Sequence, residues 1–396
     1  MRLLLLAALA ALVAPARAQT VPARGSDATF DVASWNLEFF GEPTMGPSND
    51  ALQLDNVVAV IEQAEIDLWA LQEVVDPTEW NQLRDRVRDD GYEGLLGPQV
   101  SSTAAFDQRL AFIYNPSVVS VIGSRTILSG TNFGGRAPFE LQARVAIDGQ
   151  ARTLRVIGFH AKASTDQDSY DKRDRAAAEL KAYIDDRITR GESVILLGDF
   201  NDYLLRSTRS SEPSPYRAFV SDPDYVAVTL PIEQANLRTF CSNSACTSGS
   251  VRDHMIITAD LSAEYVDGSG DRYGQVLTGV TNYVSSTSDH IPVLAQFSFR
   301  PTAGEDVLAP GVVALLPPAP NPFEGSVRLR FVLEAPSDAR LDVFDALGRR
   351  VASLAGAFGA GEQSVQLDAG ALAPGAYLVR LTAAGEVRTR RIVRAR

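Results

Sequence analysis

The order of apolar patterns along the 396-residue chain predicts an α/β fold, in which two β-sheets pack together with helices outside, followed by a small all-β domain. Two observations carry this prediction. Between residues 27 and 300, many strand-like segments alternate with a few helical stripes, which is typical of packed sheets covered by helices. Beyond residue 320, short alternating segments recur without helical stripes, and this spacing is typical of a β-sandwich.

The helices and strands of the first part follow from the spacing of their apolar residues. Helical spacing predicts helices over residues 50–64, 77–90 and 170–189. Short runs of branched and aromatic residues predict the strands. They span residues 29–37, 66–73, 108–115, 118–128, 139–147, 152–162, 194–201, 253–258, 275–283 and 291–299. Serine, proline and arginine predict a loop over residues 207–224.

The two ends of the first domain are marked by composition. Residues 1–18 combine a charged start, an apolar run and small residues before Gln19, a pattern that predicts a secretory signal peptide. The run is too short to cross a bilayer as a mature helix, so we expect no stable membrane span. Residues 301–320 are rich in Pro, Ala and Gly, which predicts a linker between a domain at 27–300 and a sandwich at 321–396.

Charge is unevenly distributed along the chain. The net charge is −12, yet the segment from Asn321 onward carries 11 arginines against 8 acidic residues, so the first 320 residues carry −15. An acidic domain is poorly suited to bind nucleic acid through its whole surface. This balance still allows a local basic groove, or a divalent cation that offsets carboxylates at a site.

Two cysteines, Cys241 and Cys246, are separated by a short polar loop. In an exported protein this spacing favours a small disulfide loop. A zinc site is the less favoured alternative, because only His254 lies near enough in sequence to add a ligand. His254 itself points away from the face that carries Asp253, since neighbours in a strand alternate, and we predict a structural or surface role for it.

Polar side chains stand at the ends of apolar strands at six places. They are Asn36, Glu73, His160, Asp199 with Asn201, Asp253, and Asp289 with His290. Each one alone also fits an ordinary turn residue. Together, the carboxylates and amide oxygens suit Mg²⁺, and two histidines can move protons near neutral pH. This set suffices for metal-assisted hydrolysis of a phosphate ester.

The sequence around these residues resembles the endonuclease/exonuclease/phosphatase family across residues 27–300. The matching segments, in the family's order, are Ser34-Trp-Asn-Leu37, Leu71-Gln-Glu73, Arg109-Leu-Ala-Phe-Ile-Tyr-Asn115, Phe159-His-Ala-Lys162, Gly198-Asp-Phe-Asn201, Arg252-Asp253 and Ser288-Asp-His290. The resemblance implies a four-layer α/β sandwich of two packed mixed β-sheets with outer helices. It also implies metal-dependent cleavage of phosphoesters at one end of the sheets.

The resemblance also implies roles for individual residues. Asn36, Glu73 and Asp289 match metal ligands, with Mg²⁺ expected and Mn²⁺ or Ca²⁺ as alternatives. Asp199 matches the carboxylate that activates the attacking water, and Asn201 matches the amide that holds that water or the phosphate.

The histidines and several cations complete the expected site. His290 matches the histidine that contacts the phosphate, with Asp253 behind it, and His160 matches the second histidine of the deoxyribonuclease-like branch. Further candidates for phosphate contacts are Arg109, Tyr114, Lys162 and Arg173. For Arg173, on the predicted helix, a solvated charged face is an equal alternative.

The C-terminal segment resembles the sorting domain of proteins exported by the type IX secretion system. The matching segments are Pro320-Asn-Pro-Phe323, Leu341-Asp-Val-Phe-Asp-Ala-Leu-Gly-Arg349, Pro374-Gly-Ala-Tyr-Leu378 and the basic ending at 388–396. An ordinary carbohydrate-binding or adhesion sandwich is the alternative. The resemblance implies a bacterial protein that meets the type IX machinery and is secreted or displayed at the cell surface.

These observations favour a secreted, metal-dependent phosphodiesterase that acts as a nuclease on extracellular nucleic acid, as a monomer. One alternative keeps the chemistry and changes the substrate, as in a sphingomyelinase-like or small-molecule phosphoesterase, and the acidic balance mildly favours it. The other alternative is a non-catalytic surface adhesion protein, against which the complete set of polar strand ends argues.

Overall fold

The computed structural model describes residues 20–99 and 107–299, and, further along, residues 313–316, 318, 321, 323–345, 349–368, 370 and 372–395. The predicted signal peptide, residues 1–18, therefore lies outside the described residues. The described residues fall into two compact units, one before and one after residue 300.

The first unit contains two six-stranded sheets and a short hairpin. Its strands are β1 (Phe30–Phe40), β2 (Leu68–Val74), β3 (Glu93–Leu96), β4 (Arg109–Tyr114), β5 (Val119–Thr126), β6 (Phe139–Ile147), β7 (Gln150–His160), β8 (Ser193–Asp199), β9 (Tyr225–Ala227), β10 (Phe240–Cys241), β11 (Gly249–Ser250), β12 (Asp253–Thr258), β13 (Asp271–Arg272) and β14 (Val293–Phe297). One sheet has the order β13-β14-β1-β2-β4-β3 and the other β5-β6-β7-β8-β12-β9, while β10 and β11 form the hairpin.

Helices cover the outer faces of these sheets. They are α1 (Asp50–Ala64), α2 (Pro77–Arg88), α3 (Gln167–Thr189), α4 (Arg217–Ser221), α5 (Leu230–Gln234), α6 (Val276–Gly279) and α7 (Tyr283–Ser286). The residue just before each of the first three helices explains its start, because Asn49, Asp76 and Asp166 each accept a hydrogen bond from a backbone N–H in the first turn.

Three apolar cores fill the spaces between the layers. Val32, Phe112 and Leu197 belong to the core that the two sheets bury between them. A second core joins β1 and β2 to α1 and α2, and a third joins β7 and β8 to α3. Both sheets are mixed, since β1–β2 and β7–β8 pair in parallel and the other strand pairs are antiparallel. The predicted four-layer sandwich is confirmed.

One strand prediction is wrong. Residues 275–283, predicted as a strand, form α6 and the start of α7. The buried apolar residues there are Val276, Val280 and Tyr283, which is the i, i+4, i+7 spacing of a helix. The segment also receives the start of the described chain, because Thr20 N–H donates to the carbonyl of Gly279 at 3.1 Å.

The second unit is all-β, as predicted. Its strands are β15 (Val313–Leu315), β16 (Ser326–Leu333), β17 (Ser337–Phe344), β18 (Arg350–Phe358), β19 (Gly361–Asp368), β20 (Gly375–Ala383) and β21 (Glu386–Arg394). They form two sheets, β15-β16-β19 and β18-β17-β20-β21, around one apolar core. Strand β15 falls inside the predicted linker 301–320, where it pairs with β16, so that stretch is not a linker throughout.

Among the described residues, helices are too short or too polar to cross a bilayer.

Candidate active site

Three polar strand ends of one sheet meet because of how their strands are paired. The parallel β7–β8 register places His160 opposite Asp199, and the antiparallel β8–β12 register places Asp199 opposite Asp253. Gly198 permits the close approach of β7 and β8, since its φ is +151° and an added Cβ would lie 1.8 Å from the carbonyl oxygen of Phe159. All three side chains therefore lie side by side at one end of these adjacent strands.

Asp199 lies at the centre of the polar cluster. Its Oδ2 accepts hydrogen bonds from Nδ2 of Asn36 at 3.1 Å and Nδ2 of Asn201 at 3.0 Å. The same oxygen lies 3.5 Å from Nε2 of His160 and 3.7 Å from Nε2 of His290. Residues from both sheets thus surround one carboxylate oxygen of Asp199.

His290 is held by a buried carboxylate. Its Nδ1 lies 2.8 Å and 3.0 Å from the two oxygens of Asp253, and both residues are buried. Burial lowers the pKa of His290, but the surrounding carboxylates, Asp253 first and Asp199 next, outweigh burial and raise this pKa to about 10. Nδ1–H is therefore directed at Asp253, and the cationic ring presents Nε2–H to the site.

His160 has the opposite electrostatic character. Burial, and then the positive charge of Arg136, lower the pKa of His160 well below its ordinary value. The neutral ring directs Nε2 toward Glu73 and Asp199, at 3.6 Å and 3.5 Å, while its buried Nδ1 has no partner among the described residues. One neutral and one cationic histidine thus flank the same carboxylate.

A second group of oxygens lies beside Asp199 on the other sheet. Asn36 donates from Nδ2 to Oε1 of Glu73 at 3.2 Å, and Oε2 of Glu73 accepts the N–H of Phe39 at 3.0 Å. Glu38 accepts the backbone N–H of Asp289 at 2.9 Å, which brings the loop carrying His290 to the same place. Glu38 and Phe39 in β1 and Glu73 in β2 all have positive φ, so the backbone of both strands is strained here.

The donor set of this group fits a divalent cation. Burial raises the pKa values of Glu73 and Asp289, and burial followed by the charge of Asp289 raises the pKa of Glu38 to about 8. Crowded, buried carboxylates of this kind are stabilised by a hard cation with oxygen ligands. Glu73 and Asp289, with the amide of Asn36, are the residues that would hold it.

Asp199, Asp253 and His290 form a different cluster, whose possible ligand atoms lie within 4.8 Å of one another. Within this cluster Nδ1 of His290 is hydrogen-bonded to Asp253, which leaves Nε2 directed toward Asp199 and Asp289.

Two predicted phosphate contacts need correction. Tyr114 pairs with Leu68 at the start of β2, while Glu73 is near the end of that strand, so Tyr114 lies at the far end of the sheet from the site. Arg173 is fully buried, and its guanidinium donates to Asp202, to the carbonyls of residues 162 and 164 and to Thr208. Both alternatives for Arg173, a phosphate contact and a solvated face, are therefore wrong.

The other two cations lie on the side of the site. Arg109 stands opposite Val74, directly after Glu73, and pairs with Asp107 at 3.1 Å. Lys162 follows His160 by two residues, is partly exposed, and contributes to lowering the pKa of His160. Their phosphate contacts stay predictions.

Several residues at the site were not predicted from strand ends. Glu38, described above, is one. Arg136 donates to the carbonyl of Ala161 at 2.9 Å and influences the pKa values of both Glu73 and His160. Arg252 donates from Nη1 to Oδ1 of Asn201 at 3.3 Å. Arg252 could have been predicted, because the segment Arg252-Asp253 is part of the family resemblance. Arg136 lies in a loop that matches no family segment and has no periodic pattern.

A disulfide hairpin supports the histidine side of the site. Cys241 and Cys246 form the predicted disulfide. The N–H of Cys241 donates to the carbonyl of Asp289 at 2.7 Å, and the N–H of Ile291 donates to the carbonyl of Thr239 at 2.6 Å. The hairpin therefore brackets His290 through the backbone on both sides.

The fold and the site thus combine two packed sheets with a buried carboxylate, Asp199, between two histidines. Residues 33–290 match the model of the endonuclease/exonuclease/phosphatase family. The chain belongs to this family, and it is therefore a metal-dependent phosphoric ester hydrolase. Residues 319–395 match the secretion system C-terminal sorting domain, which indicates export by type IX secretion to the cell surface or the extracellular space.

One solved structure agrees with this assignment at the level of the fold, and two others have lower similarity. An endonuclease/exonuclease/phosphatase protein from Beutenbergia cavernae is 15% identical, with a TM-score of 0.53 over 92% of this chain and 100% of that chain. Humanized D. rerio TDP2 and the Neisseria 3′ phosphatase NExo bound to a product DNA hairpin are each 16% identical, with a TM-score of 0.49 over 68% of this chain and 99% of theirs. Curated protein sequences gave no match.

Proposed function

We propose that this protein is a secreted phosphodiesterase that acts as a nuclease on extracellular nucleic acid. The observation that carries the proposal is the convergence of two histidines on Asp199, with Nε2 of His160 at 3.5 Å and Nε2 of His290 at 3.7 Å from one carboxylate oxygen. This pair of histidines is the feature that resembles the deoxyribonuclease-like branch, and the sorting domain supports an extracellular substrate.

The geometry supports a division of labour in the reaction. Asp199 accepts a proton from the attacking water, whose oxygen forms a new bond to phosphorus while the bond to the leaving oxygen breaks. Asn201 and Asn36 fix the orientation of Asp199 through their hydrogen bonds. A bound divalent cation supplies positive charge that stabilises the phosphate in the transition state.

The two histidines complete this arrangement. The cationic His290, held by Asp253, donates Nε2–H to a phosphate oxygen, where negative charge accumulates. Neutral His160 lies on the other side, with Nε2 3.6 Å from Glu73 and 3.5 Å from Asp199. The leaving oxygen takes a proton from solvent and Asp199 returns its proton to solvent, so the products are a phosphate monoester and a hydroxyl, as expected for addition of water to a phosphodiester.

A substrate panel tests the proposal. The full-length protein is incubated with Mg²⁺ and double-stranded DNA, single-stranded DNA, RNA or sphingomyelin, each with and without a chelator. We expect cation-dependent cleavage of at least one nucleic acid, and its loss in Asp199→Asn. Turnover of sphingomyelin without cleavage of any nucleic acid would refute the nuclease and favour the lipid alternative.

A further inference from the structure

A cavity of about 560 Å³ lies beside the candidate site. Its walls come from two segments, residues 203–212 and the disulfide hairpin with the residues that follow it, 240–252. This volume lies within the roughly 300–1,000 Å³ range of small-ligand sites. The reaction described above requires no group on residues 203–212, so this wall has no role yet.

Each wall carries an arginine stacked on an aromatic ring. The guanidinium of Arg206 lies 4.1 Å from the ring centre of Tyr203, and that of Arg252 lies 3.8 Å from the ring centre of Phe240. Across the described part of the chain, no carboxylate comes within 4 Å of either guanidinium, although many other arginines are in ion pairs. The cavity lining therefore carries two arginines against one carboxylate, that of Glu212.

The walls are held in place by buried carboxylates. Asp202 is fully buried and accepts hydrogen bonds from the backbone N–H groups of Tyr203 and Thr208 and from the hydroxyl of Ser207. Glu233 accepts the N–H groups of residues 204 and 205 at 2.7 Å and 3.1 Å. The Arg206 wall is thus pre-organised by its own backbone contacts, which reduces the entropy lost when a ligand binds.

The cavity is continuous with the catalytic groups. The ring of Phe240 lies 5.2 Å from that of His290, and Nη1 of Arg252 lies 3.3 Å from Oδ1 of Asn201. A phosphate held between His290 and Asn201 would therefore have the cavity as its next neighbour along the substrate.

We propose that this cavity binds the nucleotide next to the scissile phosphate, with the base stacked on the Arg–aromatic faces and an adjoining phosphate paired with Arg206. Planar bases stack on aromatic rings and on guanidinium planes, and unpaired arginines attract phosphates. Glu212, which also lines the cavity, offers an acceptor for an exocyclic amine or a sugar hydroxyl. The subsite rests on the proposed nuclease function, and its two unpaired cations disfavour the choline head group of sphingomyelin.

Binding without catalysis gives the first test. Full-length protein in chelator is titrated with deoxyadenosine 5′-monophosphate, deoxyribose 5-phosphate and phosphocholine by calorimetry. We expect the mononucleotide to bind about tenfold more tightly than the sugar phosphate, because only it can stack. Tyr203→Ala and Arg206→Ala should each remove about tenfold in affinity for the mononucleotide, while Arg190→Ala, an exposed arginine at the end of α3, should not.

Kinetics give the second test. For an oligonucleotide, Tyr203→Ala and Arg206→Ala should raise KM by about tenfold. The control Arg190→Ala should leave this KM unchanged, and urea unfolding of each variant establishes that it is folded. One abasic nucleotide, moved stepwise along the oligonucleotide, should raise KM at a single position beside the cleaved bond in wild type and have no such effect in Tyr203→Ala.

The outcomes separate the two proposals. Equal affinities for the mononucleotide and the sugar phosphate, or tighter binding of phosphocholine, would overturn the subsite. Cleavage of oligonucleotides with KM values that the variants leave unaltered would overturn the subsite while the nuclease function stands. Base-dependent binding of the mononucleotide without cleavage of any oligonucleotide would instead support the subsite and refute the nuclease function.

Discussion

Replacing Asp253 by asparagine separates the role of its charge from that of its shape. The two oxygens of Asp253 lie 2.8 Å and 3.0 Å from Nδ1 of His290 in a fully buried contact. Asparagine keeps one acceptor but removes the anion, so the buried imidazolium loses its main counter-charge. Breaking a buried ion pair costs about 3–5 kcal/mol, and we expect the lower end because Asp199 and Asp289 remain at 3.7 Å and 3.8 Å.

The effect on catalysis should exceed the effect on folding. A positioned acid or base contributes about 10²–10⁴-fold to rate, so we expect kcat of Asp253→Asn to fall within that range. The assay is steady-state hydrolysis of a chromogenic phosphodiester at saturating Mg²⁺, with urea unfolding to establish that the variant is folded. This substrate makes the test independent of the natural one.

A matched control is available at another buried carboxylate. Glu140 accepts hydrogen bonds from Arg155, Arg125 and the hydroxyl of Tyr183, on β6 and away from the site. Glu140→Gln should lose comparable stability, with kcat within about twofold of wild type. If folded Asp253→Asn keeps kcat within about threefold of wild type, the assignment of the Asp253–His290 pair to catalysis is refuted.

Three further predictions follow from other contacts. Chelation should abolish hydrolysis. Glu73→Gln should raise the Mg²⁺ concentration that gives the half-maximal rate by about tenfold, measured by titrating Mg²⁺. An unchanged titration would exclude Glu73 as a ligand. Replacing Cys241 and Cys246 by serine should lower kcat/KM, because it loosens the hairpin that brackets His290. A reductant should cause the same loss in the wild-type protein. Full activity in both cases would show that the disulfide does not support the position of His290. Burial, and then the charge of Asp31, raise the pKa of Asp67 from 3.8 to about 7, so the stability linked to its protonation is present below about pH 4 and is lost as pH rises to about 7. Asp67→Asn should therefore flatten the dependence of unfolding free energy on pH over that window, by up to about 4 kcal/mol, in urea titrations; an unchanged slope would show that Asp67 is not its source.

Much of the site could be predicted because strand pairing converts sequence pattern into position. His160, Asp199 and Asp253 each stand at the end of an apolar strand, and adjacent strands bring such ends together. The different roles of His254 and Asp253 could be predicted because neighbouring side chains in a strand point to opposite faces of the sheet. It is buried, with Nε2 3.1 Å from the carbonyl of Asp202, so its structural role is confirmed.

The remaining errors have physical causes that local sequence does not contain. The matching segment 109–115 spans the whole of β4, so only one of its ends can lie at the site. Tyr114 lies about 17 Å along β4 from Arg109, at the other end. Arg173 lies on the buried face of α3, where it donates to a carboxylate, Asp202, that belongs to the loop after β8. Arg136 reaches the site from a loop, and loop positions depend on tertiary contacts that have no periodic signal.

Gly198 has a consequence for how this chain can vary. Any side chain there would collide with the carbonyl of Phe159 and separate β7 from β8, which would move His160 away from Asp199. The spacing of the catalytic pair is thus encoded by a residue that contributes no functional group. A screen that selects variants for activity would find this position as intolerant of substitution as a reacting residue, although the glycine never meets the substrate.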